Sequence, residues 1–153
     1  MLIKVYWDKR SGQVLIPTVA KTEAGYWLNT EPVEHASLAD QASVSKAIQN
    51  VVARGTKIVP TPSRQNFPKP VILAHSKTKS LSAFEKKYDQ ASIVYAPEST
   101  SSIDRYKRAD EGPGWVVDSE QSIKFTPGIS LEDMILRLSE IMQSDGHPAP
   151  EKC

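Results

Sequence analysis

The chain has 153 residues, 39% hydrophobic and 24% charged, with a net charge of +1 and a single cysteine, Cys153. That composition excludes disorder throughout, a disulfide framework and a cysteine-based metal site, and it gives no bulk attraction to nucleic acid or acidic membranes. No apolar run approaches the roughly 20 residues of a membrane helix, and "MLIKVYWDKR" lacks the apolar core and cleavage site of a signal peptide, so the expected compartment is the cytoplasm.

"LIKVYW" and "QVLIPTV" are rich in β-branched and aromatic residues around a "DKRSG" turn, which predicts a hairpin. Pro17 offers no N–H, placing the second strand at an edge or a bulge. "AGYWLN" predicts a third short strand. In "SLADQASVSKAIQNVVARG", Val44, Ala47, Ile48, Val51 and Val52 repeat on one helical face, Ser37 or Ser43 can cap the start, and Gly55 ends it. "TKIVP" reads as a return strand.

Residues 59 to 71, "VPTPSRQNFPKPV", hold four prolines and no glycine. Proline keeps itself and the preceding residue extended and out of a sheet interior, so this segment is a stiff surface crossing within one domain, with Phe67 expected to anchor it to the body. It could alternatively present a polyproline II ligand. Next, "VILAHSK" is ambiguous between strand and short helix. "SLSAFEKKYD" is helical, capped by Ser80, with Leu81, Phe84 and Tyr88 in register. "ASIVYAP" and "SSIDRYKR" are strand candidates, and "WVVD" with "QSIKFT" is expected to complete a second hairpin after the "DEGPG" turn. "PGISLEDMILRLSEIMQSDG" carries the strongest helical signal. Ser130 and Asp133 cap it, and Leu131, Met134, Ile135, Leu138, Ile141 and Met142 share a face. Residues 1 to 146 are thus expected to form a single α+β domain, a mainly antiparallel sheet of hairpins with about three amphipathic helices packed on it; residues 147 to 153 form a flexible tail.

The charges are unevenly spread. Between Arg64 and Lys87 six bases face Glu85 alone; between Asp110 and Asp145 eight acids face two bases. Asp110, Glu111, Asp118 and Glu120 flank Trp115, an arrangement in which an indole anchor within a ring of acids could hold a basic partner. The competing reading is a core tryptophan beneath solvated acids. His35, His75 and His147 are far apart in the chain, so a metal site has no support, although His35 with Glu34 and Asp40, or His75, could serve an acid/base site. No phosphate-cradling glycine motif occurs, and no cofactor is expected. The basic segment 64 to 87, with Phe67 and Phe84, could contact nucleic acid.

Taken in order, "IVPTPSRQNFPKPVI", "SLSAFEK", "GWVVD" and "FTPGISLEDMI" resemble segments of small bacterial immunity proteins of contact-dependent growth inhibition systems, over about residues 57 to 142. The resemblance carries no residue-level site. It implies a cytoplasmic, non-catalytic protein that binds the toxin domain of a cognate effector, often a nuclease, in a one-to-one complex. Because nuclease surfaces are commonly basic, the partner-binding residues expected are Asp110, Glu111, Trp115, Asp118 and Glu120. The alternatives are a small enzyme with a histidine/carboxylate site and a nucleic-acid-binding module using residues 64 to 87.

Overall fold

A computed structural model describes residues 1 to 112 and 114 to 145. The expected tail, with His147 and Cys153, lies outside the described residues. In chain order the elements are β1 (Leu2–Trp7), β2 (Gln13–Thr22), β3 (Trp27–Ser37), α1 (Gln41–Arg54), β4 (Ile58–Val59), α2 (Val71–Ser76), α3 (Leu81–Lys87), β5 (Asp89–Val94), β6 (Ser101–Arg108), β7 (Trp115–Phe125) and α4 (Leu131–Asp145). Six strands lie in the order β3-β2-β1-β5-β6-β7, each antiparallel to its neighbour, and β4 pairs in parallel with Lys21 and Thr22 of β2.

Strand alternation divides the hydrophobic residues between the two faces of this sheet. Ile3, Val5, Trp7, Val14, Ile16, Ala91, Ile93 and Ile103 point to one face and meet the apolar stripes of α1 and α4. Every side chain that the periodicity assigns to the α4 stripe packs there: Leu131, Met134, Ile135, Leu138 and Met142 are buried and Ile141 is half-buried. Tyr6, Leu15 and Val33 point to the other face, where α2 and α3 add Ile72, Leu73 and Phe84, followed by Tyr88. The result is a single α+β domain with one sheet and two unequal helical layers.

Several local expectations change. Among the described residues four helices form rather than about three, because "VILAHS" is a short helix whose Ile72 and Leu73 reach the second face. Asp40, not Ser37 or Ser43, caps α1: its Oδ1 accepts from the Ser43 N–H at 3.3 Å, while the Ser43 hydroxyl bonds back to the Asp40 carbonyl. Gly55 ends α1 at φ 74°, a left-handed backbone value that favours glycine. β3 is much longer than "AGYWLN" suggests and includes His35. Being an edge strand it tolerates Pro32, and a register shift at Pro17/Thr18 absorbs the misfit as Thr18 Oγ1 donates to the Pro32 carbonyl at 2.8 Å. "WVVD" and "QSIKF" do not form a hairpin with each other. They are one strand, β7, paired with β6 through a shift between Ile103 and Arg105.

The proline-rich segment carries the chain from β4 to α2 on the opposite face from α1. It is the surface crossing the prolines require, and Thr61 Oγ1 accepts the Ala24 N–H at 2.8 Å along the way. Phe67 does not plug into the body as expected: it is 62% exposed.

Candidate functional site

The second face of the sheet is only partly roofed. α2 and α3, six and seven residues long, span about 9 and 10 Å at 1.5 Å per residue, against roughly 24 Å for six strands at 4.8 Å spacing. Beneath and beside them the packing is aromatic. Tyr6, Phe84 and Trp115 form a mutual cluster, with Tyr6 edge-on to Phe84 at 5.2 Å, Trp115 5.8 Å from Tyr6, and Trp115 edge-on to Phe84 at 5.9 Å between ring centroids. Phe84 in turn stacks on Tyr88 at 4.6 Å.

Beside this cluster runs a groove of about 230 Å³, bounded by β3, the proline-rich segment and α3. Three of the chain's exposed large apolar side chains line it: Trp27 (42%), Phe67 (62%) and Leu81 (48%). Lys4 lines the groove from the central strand β1, and burial pushes its ammonium below the usual lysine range. Asn29 donates through Nδ2 to the Tyr6 hydroxyl at 3.0 Å, while its buried Oδ1 has no hydrogen-bond partner among the described residues. Burial pushes the Tyr6 phenol up, Asn29 pulls it partly back and nearby Tyr106 adds to the rise, leaving it at about 12. Isolated exposed apolar residues are ordinary, but three around one groove with a desolvated cation make this face the candidate site.

The five residues that stand out in the sequence lie around the β6–β7 hairpin. Trp115 is half-buried, lines the groove, and has aromatic rings and bases as its immediate neighbours. Asp110 and Glu111 are exposed in the turn, and Glu120 is exposed on β7. Asp118 is half-buried and pairs across the strands with Arg105. Its carboxylate accepts from Gln121 Nε2 at 2.9 Å and from the Glu120 N–H at 3.3 Å, so much of its capacity is used within β7. Trp27, Phe67 and Leu81 do not stand out together in the sequence. Their common signal is the mismatch between two very short helices and a wide sheet.

The histidines do meet. His35 Nε2 lies 2.8 Å from His75 Nδ1, and His75 Nε2 lies 2.9 Å from Glu31 Oε2. With both rings neutral and the carboxylate ionised, His75 donates through Nε2 and accepts through Nδ1, which makes His35 the donor between the rings. His35 Nδ1 is left to accept from Gln13 Nε2 at 3.5 Å, and Gln13 Oε1 accepts from the Tyr88 hydroxyl. In that state every donor in this chain from Tyr88 to Glu31 points the same way. Glu34 and Asp40, considered with His35 as an acid/base site, serve elsewhere: Glu34 pairs with Arg54 and accepts from Asn50 at 3.1 Å, and Asp40 caps α1. Burial alone would raise the Glu34 carboxyl, but the bonds from Arg54 and Asn50, with the charges of Arg54 and His35, hold it below the ordinary range. Among the described residues no group of three or more His, Cys, Asp or Glu side chains is placed to hold a metal ion. No helix among them is long and apolar enough to cross a membrane.

No family profile and no curated protein matches the sequence. Solved structures with the same fold include a protein of unknown function from Neisseria meningitidis, 12% identical with a TM-score of 0.58, the match covering 93% of this chain and 95% of that one. They also include a chain of the CdiA-CT/CdiI toxin and immunity complex from Yersinia pseudotuberculosis, 10% identical with a TM-score of 0.58, covering 92% of this chain and 95% of that one. The chain thus has an α+β fold found in a bacterial toxin and immunity complex. The resemblance to immunity proteins carried by its segments has a counterpart at the level of the fold.

Proposed function

We propose that the chain is an immunity protein that binds a cognate toxin domain one to one and neutralises it without catalysing a reaction. The observation that carries this reading is the fold shared, along nearly the whole chain, with a member of a toxin and immunity complex. The partly roofed face supports it. Trp27, Phe67, Leu81 and Trp115 supply apolar area at the centre of the interface, where buried aromatics contribute most to binding. Asp110 and Glu111 in the β6–β7 turn and Glu120 on β7 supply exposed negative charge that steers a basic toxin, with Asp118 bonded within β7. A nuclease is the toxin class that such charge fits, since its substrate channel presents bases to phosphates. The cytoplasm is the compartment in which such a toxin meets its substrate.

The test is co-expression with the cognate toxin domain, sought first in the reading frame adjacent to the gene. The expected result is relief of growth arrest and a one-to-one complex on gel filtration with light scattering. Persistent toxicity despite normal expression, with no complex, overturns the reading. Turnover by the purified chain that disappears in His35→Ala would favour an enzyme instead.

A further inference from the structure

A second, chemically different cavity lies across Trp115 from the groove. It occupies about 470 Å³ between the β1–β2 turn, the end of α3 and the β6 strand, and six cationic side chains line it: Lys9, Arg10, Lys86, Lys87, Lys107 and Arg108. The three acids there are already engaged. Asp8 is buried, 2% exposed, and accepts from the Arg10 N–H at 3.0 Å and the Ser11 hydroxyl at 2.8 Å. Asp89 pairs with Lys9 at 3.3 Å, and Glu85 Oε1 accepts from the Gly114 N–H at 3.1 Å. Lys87 lies 3.9 Å from Asp8, and Arg108 Nη2 donates to the Glu85 carbonyl at 2.7 Å. Arg10, Lys86 and Lys107 are left with no carboxylate within ion-pair distance among the described residues. Trp115 and Tyr106 border the same cavity.

Arg10, Lys86 and Lys107 are exposed side chains on the border of one concavity, so an anion that enters it meets their combined positive potential, and a single inorganic phosphate fills only a small part of this space. The cavity has the volume of small-molecule sites, in the range of roughly 300 to 1,000 Å³. An aromatic border offers a surface for a flat ring. We propose that this pocket binds an organic polyphosphate of nucleotide size, its phosphates held by Arg10, Lys86 and Lys107 and its ring laid against Trp115. This site shares Trp115 with the groove, whereas Arg10, Lys86 and Lys107 do not line the groove.

Calorimetry on the purified full chain tests the assignment, with ATP, tripolyphosphate, inorganic phosphate and a mixed-sequence single-stranded oligonucleotide titrated at one ionic strength. ATP is expected to bind one to one, and more tightly than tripolyphosphate or phosphate. Arg10→Glu and Lys107→Glu should each weaken it about tenfold, as expected when one charge-assisted hydrogen bond to a phosphate is removed, without moving the thermal unfolding midpoint. Lys107→Gln provides the folded alternative if a charge reversal fails to fold. The proposal is overturned if ATP gives no binding at millimolar concentration or binds the variants as it does the parent. It is equally overturned if tripolyphosphate binds as tightly as ATP, which removes the ring contact, or if the oligonucleotide binds more tightly with a steep salt dependence, which makes the pocket part of a strand track.

Discussion

His35 and His75 come from positions forty residues apart, yet their ring nitrogens stand 2.8 Å from each other and join the edge strand β3 to α2. His75→Ala removes both the bond to His35 and the one to Glu31. The expected destabilisation is about 1 kcal/mol, the usual net worth of such bonds, measured by urea unfolding. A double-mutant cycle of His75→Ala with Glu31→Gln should give a coupling of roughly 0.5 kcal/mol, and toxin neutralisation should persist. Failure to neutralise in a stably folded His75→Ala protein would mean that this chain of bonds belongs to the interface.

The Glu34–Arg54 pair ties β3 to the end of α1. Since the Glu34 carboxyl sits below its ordinary value, the pair contributes stability above the unfolded-state value, about 4.3, and loses it as the pH falls through the folded-state one. Glu34→Gln should lower stability at neutral pH and flatten the acid limb of a denaturation midpoint against pH. An unchanged acid limb would show that the pairing is no stronger in the folded chain than in the unfolded one.

At the alkaline end Tyr6 governs. Its phenol ionises at about 12 when folded and about 10 when unfolded, so the folded state loses roughly 2 to 3 kcal/mol as the pH rises between those values. Tyr6→Phe should shrink that limb while forfeiting the bond from Asn29. Tyr88, whose phenol burial and the charge of Asp8 also push up, keeps its own part. Spectrophotometric titration of tyrosinate against unfolding is the check.

The α1/α4 face carries the fold. Leu138 is fully buried there, and Leu138→Ala is expected to cost about 3 kcal/mol through reduced burial and the cavity left behind. Trp27→Ser and Phe67→Asp, at exposed groove positions, should stay within about 0.5 kcal/mol of the parent in chemical denaturation.

Those same two groove substitutions, together or singly, should abolish protection against the toxin or weaken the complex at least tenfold, chiefly through faster dissociation. Reversing Asp110, Glu111 and Glu120 to lysine should instead slow association and reduce its salt dependence. If both sets leave binding kinetics unchanged, the interface lies elsewhere on the chain.

The elements legible in the sequence are those whose periodicity is enforced by a buried face. β1, β2, α1 and α4 each place a regular apolar series against the same core, and the pattern survives because no competing constraint acts on it. β3 is harder to read: an edge strand buries little, so Glu31, Pro32 and Glu34 interrupt its alternation without harm. β7 conceals its continuity for a similar reason, with Asp118 to Ser122 lying where its pairing with β6 shifts. α2 has too few residues for a helical period to be distinguished from a strand. At the site, Trp115 stands out by composition, whereas its packing on Tyr6 and Phe84, and the meeting of His35 with His75, depend on which face the proline-rich segment delivers α2 and α3 to. Nothing local encodes that choice.

The unequal layering of the sheet separates two kinds of selection. Changes beneath α1 and α4 are penalised as misfolding whatever the partner, while changes among Trp27, Phe67, Leu81 and the β6–β7 turn are judged only by what they touch. Under the proposed immunity role, a lineage facing successive toxins can rewrite one side of the molecule repeatedly while inheriting the other. The same architecture over nine-tenths of two chains with one residue in ten in common shows how few particular residues this fold requires.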